Sequence, residues 1–431
     1  MEVYDLSIID GNIYIDGTFF QGNLYVKDGK VSTISKNYFL SKEIYNANGS
    51  YVLPGFIDPH VHFQLNVGNH TSCDNFQSGS IAAAFGGITT FIDFLDPVSN
   101  SAELKKAYEI RRVLSRESVV DYCFHSTIAN FHDSELNFID ELKEYGINSI
   151  KFFTTYSSSN RKTNDKTIDR FLQLTKEKDI MLLAHAENDD LINDGKFNIS
   201  CHEENRPEIS EITEVLKLAE LTEYRDGKLY IVHISCGSTI EKLKKNYNHL
   251  LHNNLYVESC PHYFSFNKDV YDTNNGHLYL LSPPLRSELQ VGLLKKYIDD
   301  VDVIATDHCP FTSEEKNKPS LDLIPMGIGG VEHSFTAMFS MFGEKIIDKY
   351  TINPAKIYNL YPQKGTLLPG ADADIVIYAP NEIIKSDNHS NCDYNLYTNL
   401  KGSIKSTISK GKFVVKDRNY IKGNIGSYIY R

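Results

Sequence analysis

His60 and His62, in Asp58-Pro59-His60-Val61-His62, can grip one divalent ion, because side chains at i and i+2 of an extended segment share a side. Similar polar residues stand at the ends of later apolar runs. Lys151 follows Ser149-Ile150, His185 follows Ile180–Ala184, His233 follows Tyr230–Val232, and Asp307 follows Val303–Thr306. Four histidines and a carboxylate suit zinc best, with manganese, iron or cobalt also compatible. Lys151 is the odd member, since a bare ammonium is costly to place inside a barrel mouth. Either it pairs with a carboxylate or snorkels to solvent, or its amine has reacted with CO2. Carboxylated, it would be an anionic two-oxygen ligand able to bridge two ions about 3.5–4 Å apart that share a hydroxide. Asp307 would then ligate one ion and carry the proton from hydroxide to leaving group.

Such residues need a scaffold that brings strand ends together. Eight short apolar segments read as strands, near Phe56–Asp58, Thr89–Phe94, Val119–Ser126, Ile150–Thr154, Met181–His185, Leu229–Ile234, Tyr256–Ser259 and Asp302–Thr306. Helical patterns fill the gaps at Ser101–Ser115, Asp133–Tyr145, Ile168–Lys178 and Ile212–Tyr224. Gly86-Gly87, Gly146 and Gly227 stand where helices should stop. Strand and helix in alternation predict a parallel sheet, and eight units predict a closed (β/α)8 TIM-like barrel with its site at the carboxyl ends of the strands.

Both ends of the chain are β-rich. Asp10-Gly11, Asp28-Gly29 and Lys410-Gly411 each separate two strand-like runs and predict hairpins. Neither end has many strands to bury alone. The expectation is one small β-sandwich from residues 1–53 and 360–431, with the catalytic barrel, 54–359, inserted between them; two independent β-domains is the alternative.

Composition narrows the partners. The 431 residues, 41% hydrophobic and 23% charged, suit a globular protein. A net charge of −12 argues against nucleic acid or an anionic membrane as partner. The start, Met1-Glu2-Val3-Tyr4-Asp5, has neither a basic nor an apolar leader region, and no run approaches the ~18 apolar residues of a membrane span. Seven scattered cysteines without a C-x-x-C pair read as reduced thiols. Together these features predict a cytoplasmic protein.

Residues 50–380 resemble the dihydropyrimidinase and hydantoinase family of cyclic amidohydrolases. The resemblance is carried by Pro54–Gln64, Asp74–Gly79, Ala82–Thr90, Ile150–Phe153, Ala184–Glu187, Val232–Ser235, Ser282–Arg286 and Thr306–Pro310. It implies that His60, His62, Lys151, His185, His233 and Asp307 bind two zinc ions, with Lys151 carboxylated from CO2 and bridging them. It implies that Tyr156 hydrogen-bonds the developing oxyanion, that the Ser282 backbone holds the amide edge of the ring, and that the protein is a homo-oligomer, a dimer or tetramer. The substrate would be a small cyclic amide, opened to an N-carbamoyl amino acid.

Two stretches depart from the family pattern. Leu65-Asn66-Val67-Gly68-Asn69-His70 replaces a Pro-Phe-Gly-Gly-like stretch. Ile324–His333 lacks the asparagine with which many relatives contact substrate, so Gly329 could supply only backbone contacts. These departures bear on which ring is opened. Dihydroorotase is disfavoured, because Phe63-Gln64 puts no arginine two residues after His62. The rivals are allantoinase, which needs the same metal site, a mononuclear deaminase, which leaves Lys151 idle, and a non-catalytic scaffold, which the intact ligand set disfavours. His308 reads as a loop-orienting residue, and Cys260 and Cys309 as packing.

Overall fold

A computed structural model of the chain describes residues 3–67, 69–193, 195–383 and 387–431. Eight parallel strands pair in sequence: Phe56–Val61, Ile88–Phe94, Asp121–Thr127, Ser149–Phe153, Met181–His185, Leu229–Ile231, Leu255–Ser259 and Val303–Ile304. A parallel bridge between Val61 and His308 joins the last strand to the first. Asp58 reinforces this seam, accepting from the Thr306 hydroxyl at 2.6 Å and from the Thr306 N–H at 3.2 Å. The expected barrel is present, with strand limits moved by a few residues.

Alternation along the strands divides the apolar side chains between two layers. Met181 and Leu183 join Ile57, Ile92 and Tyr230 in a cluster inside the barrel. Leu182 and Ala184 face the other way, into the larger core that Phe138, Phe171 and Val215 of the covering helices share. The helices run Ser101–Leu114, Glu135–Glu144, Asp165–Leu174 and Glu208–Arg225. The last two begin three or four residues before their apolar periodicity does. Their first turns are polar, and at Asp165–Leu174 the Asn164 side chain caps the N–H of Thr167 at 3.0 Å. Gly146, at φ 69°, ends the helix Glu135–Glu144 as expected.

The two termini build one nine-stranded sheet. Its strands are Tyr4–Ile15, Thr18–Lys27, Lys30–Ser35, Ser41–Asn46, Tyr51–Pro54, Ile375–Ile383, Lys401–Ser409, Lys412–Lys416 and Asn419–Tyr420. The halves meet where Leu53 pairs with Val376. Leu24, Val26 and Val52 from one end share a cluster with Ile375, Ile377 and Ile408 from the other, so two independent β-domains are excluded. Strand Tyr4–Ile15 changes neighbour halfway, pairing first with Ser41–Asn46 and then with Tyr51-Val52.

Hairpins occur at Asp28-Gly29 and Lys410-Gly411, with both residues of each pair at positive φ. Asp10-Gly11 is not a hairpin. It is a bulge inside Tyr4–Ile15, where the register slips between Ile8 and Gly11. The Asp10 N–H donates to Asn23 Oδ1 at 3.0 Å, and a Cβ at Gly11 would lie 2.5 Å from Val52 Cγ2. The turn falls instead at Asp16-Gly17, with φ of 47° and 79°.

Candidate functional site

At the carboxyl ends of the barrel strands His62, Lys151, Tyr156, His185, His233, Ser282 and Asp307 line a cavity of about 820 Å³. Between Asp58 and Val61 the first strand slips register, which shifts its parity and turns both His60 and His62 inward. Each Nε2 lies 3.1 Å from Asp307 Oδ1. Lys151 sits in mid-strand, two residues before the strand ends, with Nζ 3.1 Å from His60 Nε2. The His233 ring is 5.5 Å from that of His60 and 4.6 Å from that of His185. His233 and Asp307 lie just beyond their strands at φ of 41° and 48°. That left-handed conformation is costly away from glycine and recurs at functional sites.

Buried carboxylates select which imidazole nitrogen faces the centre. Glu258 Oε1 takes His60 Nδ1 at 2.8 Å and also accepts the His233 backbone N–H at 3.0 Å, while Oε2 takes the Tyr230 hydroxyl at 2.8 Å. Glu187 Oε2 takes His185 Nε2 at 2.6 Å and is itself clamped by Arg206 at 2.5 Å. These contacts occupy Nδ1 of His60 and Nε2 of His185, and His60 Nε2 is the nitrogen that meets Asp307 and Lys151 at the centre. Carboxylate support behind metal-binding histidines is a common arrangement. Sequence reading missed both roles. The signals were a charged residue inside Leu255–Ser259 and the carboxylate two positions after His185.

The electrostatics suit bound cations. Burial drives His62 down to about 4 and holds His185 and His233 below the usual imidazole value, so these rings are neutral donors near pH 7. Burial lowers the Lys151 amine to about 8. Burial alone would raise Asp307, but His60 and His62 outweigh it and hold the carboxyl well below its ordinary range. Ligand atoms of His60, His62 and Asp307 lie within 4.8 Å of one another, close enough for one ion with bonds of about 2.0–2.2 Å. The donor set therefore fits a divalent metal, and the rings of His233 and His185 and the Lys151 amine stand beside it.

Tyr156 adopts φ 67° and sets its ring 5.2 Å from that of His185. Arg206 lies over the ring at 4.9 Å. Burial raises the phenol above its ordinary value, so it remains a donor at neutral pH. Ser282 lines the same cavity and interacts with Tyr156 through its side chain. Leu65, Asn66, Asn69 and His70 also line it, while Gly68 of that stretch lies outside the described residues. In the later loop the cavity wall is Ile324-Pro325-Met326-Gly327-Ile328. Gly329 faces a second, small void beside His308. His308 holds Asp74 through Nε2 at 2.8 Å and accepts the N–H groups of Gly330 and Val331 at 3.1 and 3.2 Å. Cys260 and Cys309 are buried free thiols. Among the described residues no helix is long and apolar enough to cross a membrane.

A model of the amidohydrolase family matches residues 51–414. The D-hydantoinase of Geobacillus stearothermophilus is 33% identical across 98% of this chain and 96% of its own. The D-phenylhydantoinase of Escherichia coli O9:H4 (strain HS) is 32% identical across 95% of this chain and 94% of its own. A solved D-hydantoinase structure, 31% identical, superposes with a TM-score of 0.91 and covers 99% of this chain and 98% of its own. A D-hydantoinase (dihydropyrimidinase) from Thermus sp., 27% identical, gives 0.92 over 99% of both chains.

Proposed function

Because this chain belongs to the amidohydrolase family, and to its hydantoinase and dihydropyrimidinase branch, we propose that it opens a hydantoin or dihydropyrimidine ring to an N-carbamoyl amino acid. One observation carries the reading. A buried lysine stands 3.1 Å from an imidazole, in a barrel mouth that also gathers three more histidines and an aspartate. Residues 54–359 form the catalytic unit, and the protein works as a cytoplasmic homo-oligomer.

His60, His62, His185, His233, Asp307 and carboxylated Lys151 would hold two divalent ions, zinc by donor type. When bound, the ions supply Lewis-acid polarisation of the carbonyl and activation of water. Hydrolysis adds water across the ring C–N bond, with oxygen going to the carbonyl carbon and a proton to the departing ring nitrogen. Asp307, ionised at neutral pH, is the residue to take a proton from water and return it to that nitrogen. The Tyr156 O–H donates to the oxygen on which charge develops. The Ser282 backbone holds the amide edge of the ring. Glu258 and Glu187 keep His60 and His185 in one orientation through the cycle.

The test is product analysis with metal-loaded protein on dihydrouracil, hydantoin, 5-substituted hydantoins, allantoin and dihydroorotate. N-carbamoyl products from the first three are expected. Two bound metals with no turnover on any of these rings would refute the reading, and turnover of allantoin alone would replace it with allantoinase.

A further inference from the structure

The cavity is far larger than the chemistry requires. A volume of about 820 Å³ lies toward the upper end of what drug-sized ligands occupy, and a five- or six-membered ring fills only part of it. The rest must receive the substituent on the ring, so the charges along that wall bear on what the substituent is.

Most cations near the cavity are already matched. Arg206 is clamped to Glu187 through two contacts. Lys196 meets Glu204 at 2.6 Å, and Lys162 meets Asp189 at 3.4 Å. Arg161 differs. It lines the cavity and is half-buried, yet among the described residues its guanidinium meets no carboxylate, carbonyl or hydroxyl at hydrogen-bond or ion-pair distance. Its position is set by the turn that sets Tyr156. The Arg161 N–H donates to the Tyr156 carbonyl at 3.1 Å, with Asn160 between them at φ 59°. The guanidinium is close enough to the Tyr156 phenol for its charge to act on it. A cation held on a cavity wall with no internal partner is satisfied by a ligand anion, and guanidinium matches carboxylate with two parallel hydrogen bonds. In a chain of net charge −12 such a local cation also marks where an anion is received.

We infer that Arg161 forms a subsite for an anionic group on the exocyclic substituent, so that the preferred substrates are cyclic amides carrying a carboxylate-bearing side chain. The inference rests on the ring-opening reading and adds the class of substituent. Arg161 is a specificity residue here and takes no part in bond breaking.

The experiment compares 5-(2-carboxyethyl)hydantoin with its carboxamide, a neutral isostere, on metal-loaded protein. The wild type should favour the acid in kcat/KM, and Arg161→Gln should lower the acid-to-amide ratio by about 10- to 100-fold, as expected for a charge-assisted hydrogen bond. The change should lie mainly in KM, and 1 M salt should shrink the wild-type preference. A wild type that favours the amide, or a ratio unmoved by Arg161→Gln, would overturn the subsite while leaving ring opening intact. If neither ring opens, the functional reading fails by itself. Calorimetric binding of the acid still decides the subsite, which requires binding that Arg161→Gln weakens and is refuted by equal binding or none.

Discussion

Lys151 and Lys364 are both buried, at 3% and 2% exposure, but they face opposite surroundings. Lys364 lies where the terminal sheet meets the barrel, among three buried carboxylates: Asp121 and Asp374 at 2.6 Å and Asp372 at 2.9 Å. Burial works against its charge, but the carboxylates prevail and raise it above the ordinary lysine value. Lys151 lies in the barrel mouth, where its Nζ meets the His60 imidazole and burial pushes its amine down to about 8. The first lysine is a charged strut. The second has an accessible neutral form, which is the form that reacts with CO2. The same contrast separates two clusters of similar spacing. Asp121, Asp372 and Asp374 share the Lys364 ammonium at ion-pair distance, whereas the ion-pair partners of Asp307 are the imidazoles of His60 and His62, a set that suits a metal.

The largest test of this contrast is Lys151→Ala. Metal content measured by elemental analysis should collapse, and kcat should fall ~10⁴-fold or more, since the metal and acid–base contributions fail together. Thermal unfolding should stay cooperative, and short carboxylic acids should restore part of the rate. A variant that keeps both metals and its activity would make Lys151 a second strut.

Tyr156→Phe should cost ~10²–10³-fold in kcat with metal content unchanged, the usual loss for one oxyanion donor. A rise confined to KM would reassign Tyr156 to uniform binding.

Lys364→Met should act on stability instead. Three buried carboxylates would lose the cation they share, Asp121 keeping Lys410 and Asp372 keeping Lys30, and removing one partner of a buried ion pair typically costs ~3–5 kcal/mol. Denaturant unfolding measures the loss. Variant that remains folded should still bind metal, and a loss of metal without a loss of stability would undo the division between the two regions.

The smallest effect concerns a third buried lysine. Lys316 donates to the carbonyls of Leu280 at 2.7 Å and Leu278 at 3.4 Å, and burial lowers its amine to about 7. Between pH 7 and the unfolded value of 10.5 the folded state then binds fewer protons than the unfolded state. Stability should therefore rise with pH across that window, and the destabilisation is greatest below it. Lys316→Met should raise the melting temperature most near pH 6, with the gain shrinking toward pH 10. A difference independent of pH would mean that Lys316 is charged equally in both states.

Much of this was legible in the residues. Met181–His185 alternates between barrel interior and helix layer, so period two carried the strand and placed His185 with its inward residues. The six candidate ligands meet at one mouth because each lies at or near the carboxyl end of a strand. The terminal turns were less legible. Asp-Gly occurs at residues 10–11 and 16–17, and either pair suits a hairpin locally. Asn23 and Val52, from two neighbouring strands, make the first a bulge and leave the turn to the second.

By itself, then, the sequence determined which residue types reach the barrel mouth, because apolar periodicity and strand ends are local properties. Only the tertiary structure decided their chemical state. Glu258 takes one nitrogen of His60 from 198 residues away, and Lys364 is held charged by Asp121 across 243. Charge, tautomer and reactivity depend on burial and on every group nearby in space, and neither is written in the neighbours along the chain.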